Sequence, residues 1–268
     1  MKINTSTLIS AYSEKGRRER NEDFYVSAYN KSNQLLVVVC DGIGGDDDSQ
    51  VASRLLANNF LIGFKKKKKI HNFSWFYNHI LKKASRDITK HTKNGKVMGT
   101  TICVVLVTGN LVETANMGDT RIFYFSYEQN VWKQISFDHN LNNMLRMQFD
   151  SQRKKNPSLI TEINNAEKKA FDVNRDHLLS LTNCIESFKK PKTHDSYYKS
   201  FTANASDIIH ICSDGVYNWV KNNDIIQIIN NNTSKFSQCA KDIVETAYKQ
   251  DSNDNMTSFV IKFTDGKN

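Results

Sequence analysis

The sequence predicts an α+β fold of antiparallel strands with helices before and after them in the chain. Short apolar runs of strand type recur along the chain, two of them form a hairpin pattern, and amphipathic helical segments precede and follow them. Clustered hairpins of this kind favour an α+β arrangement over a parallel, doubly wound sheet. The 268 residues are 39% hydrophobic, which is enough for a substantial core in one large domain or two small ones.

Strands are predicted by apolar runs, the first of which is LLVVVC at 35–40. The others are TICVVLV (101–107), LVETANM (111–117), RIFYFSY (121–127), DIIHICS (207–213) and SFVIKF (258–263). Thr108-Gly109-Asn110 joins the second and third runs, so we predict a hairpin there. RIFYFSY and the following VWKQIS extend this prediction to a meander.

Apolar residues at helical spacing predict helices at 49–64, 74–91 and 235–249, and a shorter one at about 224–230. Asp46, Asp47 and Asp48 precede the first helix, and we interpret them as its N-terminal caps. The segment at about 140–204 is polar, rich in lysine and asparagine, and contains both prolines of the chain. We expect it to be a mobile, flap-like insertion over a single domain that spans 1–268.

The chain carries a formal net charge of +9, which raises the question of a polyanionic partner. Its densest basic run, Lys65–Lys69, follows the predicted first helix, where cations favour the helix C-terminus. We therefore interpret the run as a solvated helix end and expect no nucleic-acid binding. No apolar run could span a bilayer, and the first ten residues lack the apolar core of a signal peptide.

Five cysteines lie scattered along the chain without a CxxC pair. This usage suits a reducing compartment and argues against a cysteine zinc site, so we expect a cytoplasmic protein.

Acidic residues recur where apolar strands end or where the chain turns beside Gly or Asn. They are Glu22, Asp23, Asp41, Asp119, Asp214 and Asp254. Strand ends would direct these carboxylates towards a common rim, and hard oxygen ligands of this kind suit Mg²⁺ or Mn²⁺. Two such ions held close together could activate a shared water for attack on phosphorus.

Six segments containing these acids resemble motifs of the metal-dependent protein phosphatases of type 2C. They are GRRERNED, VVVCDGIGG, GTT at 99–101, ANMGDTR, ICSDG and DNMT, in the family's order and approximate spacing. The resemblance covers about residues 7–263. It implies a sandwich of two antiparallel β-sheets flanked by helices (αββα) and suggests a bacterial member.

The resemblance also implies roles for these residues. Asp41 would bridge two metals with the Gly42 carbonyl as a further ligand, and Asp214 and Asp254 would bind the first metal. Glu22 and Asp23 would act through the second metal or its waters, directly or one shell out. Asp119 would help to hold a third, weaker ion with Asp214, although an Asp here could instead cap the turn between two strands. Arg18 would bind the substrate phosphate, although Arg17 and Arg20 lie nearby.

The implied reaction is hydrolysis of phosphoserine and phosphothreonine in proteins by a water that bridges two, or with Asp119 three, Mg²⁺ or Mn²⁺ ions. The partners would be phosphoproteins, the substrates of a Ser/Thr kinase, and the enzyme a monomer. The alternative is a catalytically silent member that acts as a regulatory binding module. Retention of Asp41, Asp214 and Asp254 favours the active enzyme.

One residue departs from the motif of some family members. Ile43 stands where they carry a histidine that can protonate the leaving alkoxide, and isoleucine cannot act as a general acid. The 140–204 segment also departs from the usual flap pattern, so substrate recognition is the least predictable property.

Overall fold

The computed structural model describes residues 5–43, 49–92, 96–172 and 175–265. Within these residues the strands are β1 (Thr5–Glu14), β2 (Phe24–Tyr29), β3 (Gln34–Cys40), β4 (Gly42–Ile43), β5 (Gly99–Thr100), β6 (Ile102–Thr108), β7 (Leu111–Met117), β8 (Arg121–Ser126), β9 (Val131–Gln134), β10 (Ile185–Glu186), β11 (Tyr197–Thr202), β12 (Ile208–Cys212) and β13 (Met256–Asp265). The helices are α1 (Ser49–Lys65), α2 (Phe73–His91), α3 (Leu141–Lys155), α4 (Ile160–Phe171), α5 (Arg175–Leu179), α6 (Asp214–Tyr217), α7 (Asn222–Asn231) and α8 (Cys239–Lys249).

The strands form two large antiparallel sheets and one small one. The first sheet has the order β11-β7-β6-β3-β2, and the second has the order β1-β13-β12-β8-β9. In the small sheet, β10-β5-β4, β4 follows the end of β3 and β5 precedes the start of β6.

Strand β3 shows why the two large sheets stack. Every residue of this strand is buried, and alternate side chains face opposite layers. Leu36 and Val38 pack with α1 and α2, whereas Leu35 and Val37 pack with residues of β12 and β13 such as Ile209 and Phe259. One face of the first sheet is therefore covered by helices and the other by the second sheet.

The outer face of the second sheet is covered by α7 and α8. Ile225, Ile243 and Ala247 of these helices pack against Phe123 and Val260 of the sheet. The layers are thus helices, sheet, sheet, helices, which is the αββα sandwich that the sequence predicts.

The predicted hairpin is confirmed, and so is the pairing of RIFYFSY with VWKQIS, but the meander does not continue from the hairpin into RIFYFSY. β6 and β7 pair in antiparallel register around Gly109 and Asn110. β8 pairs with β12 and β9 in the second sheet instead of continuing beside β7. The chain changes sheet at Gly118, whose φ of 102° is rarely adopted by other residues and whose added Cβ would lie 2.6 Å from the Thr101 side chain.

Three of the four predicted helices match α1, α2 and α7. The fourth begins later than predicted, at Cys239, because a short 3₁₀ segment (Thr233–Gln238) with non-helical backbone at Lys235 precedes α8. The capping predicted for Asp46, Asp47 and Asp48 lies outside the described residues, as do Gly44 and Gly45.

The segment at 140–204 carries regular structure and ends inside the sandwich. It contains α3 and α4, which pack on each other, and β11, which pairs with β7 as an edge strand of the first sheet. Residues 197–202 therefore belong to the core sheet, and the predicted boundary of the insertion lies too far towards the C-terminus. Neither local polarity nor lysine content could reveal this strand, since edge strands tolerate exposed polar residues.

Within the described ranges, the helices are too short or too polar for any of them to cross a lipid bilayer.

Candidate active site

The acidic residues singled out in the sequence lie where strands of both large sheets end at one edge. Phe24 at the start of β2 pairs with Cys40 at the end of β3, so Asp23 and Asp41 leave the first sheet side by side. In the second sheet Cys212 at the end of β12 pairs with Ser258 near the start of β13. Asp214 and Asp254 therefore flank the same edge.

A buried hydroxyl joins the two sheets at this edge. Ser213 Oγ donates to Asp23 Oδ2 at 2.7 Å across 190 residues of sequence, and it accepts from the backbone N–H of Thr257 at 2.9 Å. Asp23 is 3% exposed, and its Oδ1 is buried without a hydrogen-bond partner. An orphaned carboxylate oxygen is costly unless a cation or a water occupies the space beside it.

The backbone of Asp41 is held by two threonines. Its carbonyl accepts from the Thr101 N–H at 2.8 Å and from Thr100 Oγ1 at 2.9 Å. Its own N–H donates to Thr101 Oγ1, which in turn bonds Thr120 Oγ1 at 2.6 Å. Only glycine fits at position 42, because an added Cβ would lie 2.9 Å from the Glu22 carbonyl oxygen.

Asp119 follows the sheet change at Gly118. The turn is held by His139, whose backbone N–H donates to the Gly118 carbonyl at 3.0 Å and whose Nδ1 lies 3.3 Å from the Gly118 nitrogen. His139 therefore has a structural role in holding this turn.

Arg121 lies beside this turn and is held by a buried partner. Its guanidinium binds the carboxylate of Asp138 through Nε and Nη2, the latter at 2.7 Å, and lies 3.7 Å from the ring centroid of Tyr217. This is the bidentate geometry that favours arginine over lysine.

Arg18 and Asp254 form the exposed rim of the cluster. Arg18 Nη2 donates to Asp254 Oδ2 at 2.9 Å, and Arg18 Nε donates to the Asn253 carbonyl at 2.9 Å. The side chains are 52% and 35% exposed, so this pair is accessible to a substrate. Arg17 instead pairs with Asp251 at 2.7 Å, which separates the two neighbouring arginines.

Asn255 ties the N-terminal loop to this rim. Its Oδ1 accepts from the Glu22 N–H at 2.9 Å, and its Nδ2 donates to the carbonyls of Lys15 and Arg20. Glu22 is further held through its carbonyl, which accepts from Ser53 Oγ. The loop that carries Arg18, Glu22 and Asp23 is thereby anchored to the start of β13.

The carboxylates disfavour one another's ionisation. Burial, reinforced by Asp214 and Asp254, raises the pKa of Asp23 to about 7. Burial raises the pKa of Asp119 to about 7 and that of Asp214 to about 6, with neighbouring aspartates adding to both shifts. Burial and the charges of Asp23 and Asp214 raise the pKa of Asp41 well above its usual range.

Within the described ranges, however, no three His, Cys, Asp or Glu side chains converge closely enough to form a ready-made metal cage. The carboxylates are nevertheless near enough to raise one another's pKa. The donor set still suits Mg²⁺ or Mn²⁺, which use few carboxylates each and retain several waters.

The structure brings Asp23, Asp41, Asp119, Asp214 and Asp254 to one edge, with Arg18 at the rim and Glu22 in the adjoining loop. The sequence prediction missed the residues that hold them. These are Thr101, Arg121, Ser213 and Asn255. All four stand inside the GTT, GDTR, SDG and DNMT motifs, but their partners lie on other strands, so the motifs alone did not indicate their roles.

Comparison with known proteins places the chain among phosphatases. The family model described as protein phosphatase 2C matches residues 12–260. A candidate protein phosphatase of Mycoplasma genitalium is 27% identical over 256 residues, covering 91% of this chain and 90% of that protein. Serine/threonine phosphatase Stp of Listeria monocytogenes serotype 4b is 24% identical over 259 residues, covering 93% of each.

Solved structures share the fold. Serine/threonine phosphatase Stp1 of Staphylococcus aureus superposes with a TM-score of 0.76 at 24% identity, covering 98% of this chain and 97% of that one. The catalytic domain of the serine/threonine phosphatase PstP, solved in complex with two manganese ions, gives a TM-score of 0.70 at 18% identity, covering 97% of this chain and all of that one. The predicted family and sandwich fold are confirmed.

Proposed function

Since the chain belongs to the protein phosphatase 2C family and is thus a protein serine/threonine phosphatase, we propose that it hydrolyses phosphoserine and phosphothreonine in proteins with divalent cations bound in its acidic cluster. The observation that carries the metal dependence is the cluster itself. Five aspartates meet at one edge, burial and mutual repulsion raise the pKa of four of them, and one buried oxygen of Asp23 has no partner. A divalent cation would offset this repulsion and satisfy the orphaned oxygen.

The proposed ligands follow the family motifs. Asp41 would bridge two ions with help from the Gly42 carbonyl, and Asp214 and Asp254 would bind the first. Glu22 and Asp23 would serve the second ion directly or through water. Asp119 would hold a third ion together with Asp214, whose charge contributes to the raised pKa of Asp119.

The ions would be Mg²⁺ or Mn²⁺, both of which prefer such oxygen ligands. The two manganese ions of the PstP structure support a count of two.

When bound, such ions supply a water activated for attack on phosphorus and neutralise charge on the phosphate oxygens. The chain's own residues prepare the site for this chemistry. Thr100 and Thr101 fix the backbone of Asp41, and Ser213 orients Asp23. Arg18, exposed at the rim, offers a guanidinium fork that matches a phosphate dianion.

The leaving alkoxide needs a proton, and Ile43 cannot provide one. Ile43 pairs with Gly99 in the small sheet, beside Asp41. We propose that solvent provides this proton.

We also propose a substrate class, an oligomeric state and a location for the enzyme. The substrates would be proteins phosphorylated by a Ser/Thr kinase, and the enzyme would act as a monomer in the cytoplasm of a bacterium. All five cysteines are free and buried, which supports a reducing compartment.

The decisive experiment is phosphate release from a phosphothreonine peptide by the purified protein with Mn²⁺, with Mg²⁺ and with excess EDTA. We expect activity with either ion and none with EDTA. Asp214→Asn should lower kcat/KM by at least about 100-fold, because the variant loses a carboxylate that is proposed to bind the first ion. Asp150→Asn, an exposed substitution on α3, is the matched control and should retain full activity.

Two results would overturn the metal mechanism. They are phosphate release that survives EDTA and an Asp214→Asn variant as active as Asp150→Asn. If the wild-type protein binds Mn²⁺ by calorimetry but releases no phosphate from any phosphopeptide, the catalytically silent alternative is correct.

A further inference from the structure

A groove of about 800 Å³ lies between α2 and the turn that follows β10. Five of its eight lining residues are basic, and none of these described lining residues is acidic. The basic residues are Lys82, Arg86, Lys90, Lys189 and Lys190.

The helical part of this cationic wall follows from spacing. Lys82, Arg86 and Lys90 are four residues apart along α2, so they project from one face of the helix. Like charges at this spacing destabilise a helix slightly unless a negative group offsets them. Their side of α2 therefore suits an anionic ligand.

Few carboxylates of the protein itself neutralise the groove. Lys90 pairs with Asp87 at 3.6 Å and Lys189 with Glu186 at 3.4 Å, and both lysines are exposed. Within the described part of the chain, no carboxylate lies within 4.0 Å of the charged groups of Lys82, Arg86 or Lys190. Three cations are thus available to an outside partner.

An exposed aromatic residue stands among these cations. The Phe188 side chain is 61% exposed, and its backbone has a φ of 65°, a left-handed conformation that is unfavourable for a bulky residue. Thr89 Oγ1 accepts from the Phe188 N–H at 3.0 Å, and Ser85 Oγ donates to the Lys189 carbonyl at 2.9 Å. The turn is thereby held against α2 with its aromatic ring in solvent, and such local strain is often retained for function.

The small sheet connects the groove to the acidic cluster. β10 pairs with β5, and β5 pairs with β4, which begins at Gly42 next to Asp41. Two strand spacings amount to about 10 Å, and the two residues from Glu186 to Phe188 add about 7 Å. An extended peptide with its phosphoresidue at the cluster would reach Phe188 in roughly four to six residues.

We propose that this groove docks an acidic segment of the phosphoprotein substrate, with an apolar side chain of that segment against Phe188, roughly four to six residues from the phosphoresidue. This inference rests on the proposed phosphatase activity and specifies its substrate class. The acidic side chains would bind Lys82, Arg86 and Lys190, and the apolar one would cover the exposed ring. Preference for acidic substrates would thus come from residues outside the acidic cluster.

The test compares two phosphothreonine peptides that differ only in this distal segment. One carries Asp, Glu and Leu there, and the other carries Ser, Gln and Leu. We expect the wild-type kcat/KM to favour the acidic peptide by roughly fivefold, a preference that about 0.5 M NaCl removes. The double variant Lys189→Ala/Lys190→Ala removes one of the three available cations together with the partner of Glu186, so it should reduce this preference through KM and leave kinetics on the neutral peptide unchanged.

Matched variants test whether the preference for the acidic peptide comes from the groove or from the positive charge of the protein in general. Lys168→Ala/Lys169→Ala removes an adjacent exposed lysine pair on α4 and should keep the preference. Phe188→Asn tolerates the left-handed backbone while removing the ring, so it should raise KM for both peptides equally.

Other outcomes overturn the inference in distinguishable ways. If both peptides are hydrolysed equally by wild type, the groove does not select acidic substrates although the phosphatase activity stands. If neither peptide is hydrolysed with Mn²⁺ present, the proposed function fails first. If Lys189→Ala/Lys190→Ala loses binding to short duplex DNA or to phosphatidylserine vesicles with the peptide preference intact, the groove serves that polyanion instead.

Discussion

The acidic cluster and the basic groove each gather five like charges, yet they differ in almost every physical respect. The aspartates lie at the edge where the two large sheets meet, and burial raises the pKa of Asp23, Asp41, Asp119 and Asp214. The lysines and the arginine of the groove project from a helix face and a turn into solvent.

Burial therefore decides what a charge costs. Burying a charge costs several kcal/mol, and buried like charges also repel one another strongly because the effective dielectric is low. Exposed charges are screened by water and salt, and an interaction between two of them contributes only about 0–1 kcal/mol. The cluster needs a cation to be stable as an ionised set, and the groove is stable as it stands. The first is suited to chemistry and the second to weak, salt-sensitive recognition.

Neutralising one charge of the cluster should have the largest effect. Asp41→Asn should lower kcat/KM by at least about 100-fold, because it removes a proposed ligand of both ions. In EDTA at about pH 8 the same variant should melt at a higher temperature than wild type, because a neutral amide relieves the burial of a carboxylate. Phosphate release and thermal melting measure the two effects.

Only the combination supports the assignment of Asp41. A variant that loses activity and also melts at a lower temperature in EDTA would show that Asp41 stabilises the fold. The prediction that the ionised Asp41 carboxylate destabilises the metal-free protein would then be wrong.

The cluster should also make stability depend on pH when ions are absent. Asp23 and Asp119 have folded-state pKa values of about 7 against an ordinary value of 3.8, so the folded protein retains protons that the unfolded chain has lost. From about pH 4 to about pH 7 unfolding releases protons, and the free energy of unfolding must fall as pH rises.

Thermal melts in EDTA between about pH 5 and about pH 8 should show a decline of several degrees. Added Mn²⁺ should reduce it, since a bound cation favours the ionised carboxylates. A melting temperature that rises across this range in EDTA would contradict the raised pKa values.

Arg18 shares a property with each region. It is an exposed cation, like the residues of the groove, and it pairs with Asp254 of the cluster. Arg18→Ala should raise KM for a phosphopeptide roughly tenfold with little change in kcat, because it binds phosphate in the ground and transition states alike. Arg17→Ala is the neighbouring control, since Arg17 pairs with Asp251 and lies 5.2 Å from the ring centroid of Tyr248. Steady-state kinetics that are unchanged in Arg18→Ala would assign Arg18 to the surface.

The smallest effect is expected in the groove. Lys189→Ala/Lys190→Ala should change the free energy of unfolding by less than about 0.5 kcal/mol, because both side chains are exposed and at most one weak ion pair is lost. Chemical denaturation measures it. A destabilisation comparable to that of a core substitution would mean that the turn supports the fold and is not merely a docking surface.

Local patterns were sufficient for much of the fold. Apolar periodicity predicted α1, α2 and α7, and the Thr108-Gly109-Asn110 connection predicted the β6–β7 hairpin. The same reasoning failed at Gly118, where β7 and β8 look like a continuing meander but belong to different sheets. The apolar pattern of a segment indicates that it forms a strand. It does not indicate which other strand it pairs with.

The candidate site divides in the same way. The carboxylates were recognisable because each stands after an apolar run or beside a turn, within a motif of known order. Ser213 and Asn255 were not, because each works through a partner more than 180 residues away, such as the Ser213–Asp23 bond across 190 residues.

The sequence by itself determined the α+β class, the family and the identity of the acidic residues, because these depend on residue type and on local spacing, and the layers of the sandwich followed from the resemblance to that family. Only the tertiary structure decided that strand ends from two sheets meet, that Asp23 is buried with an unpartnered oxygen, and that Phe188 stands beside the basic face of α2. Burial and mutual charge depend on packing between distant segments. The pKa of an aspartate, and the exposure of a phenylalanine, therefore cannot be obtained from its neighbours in sequence.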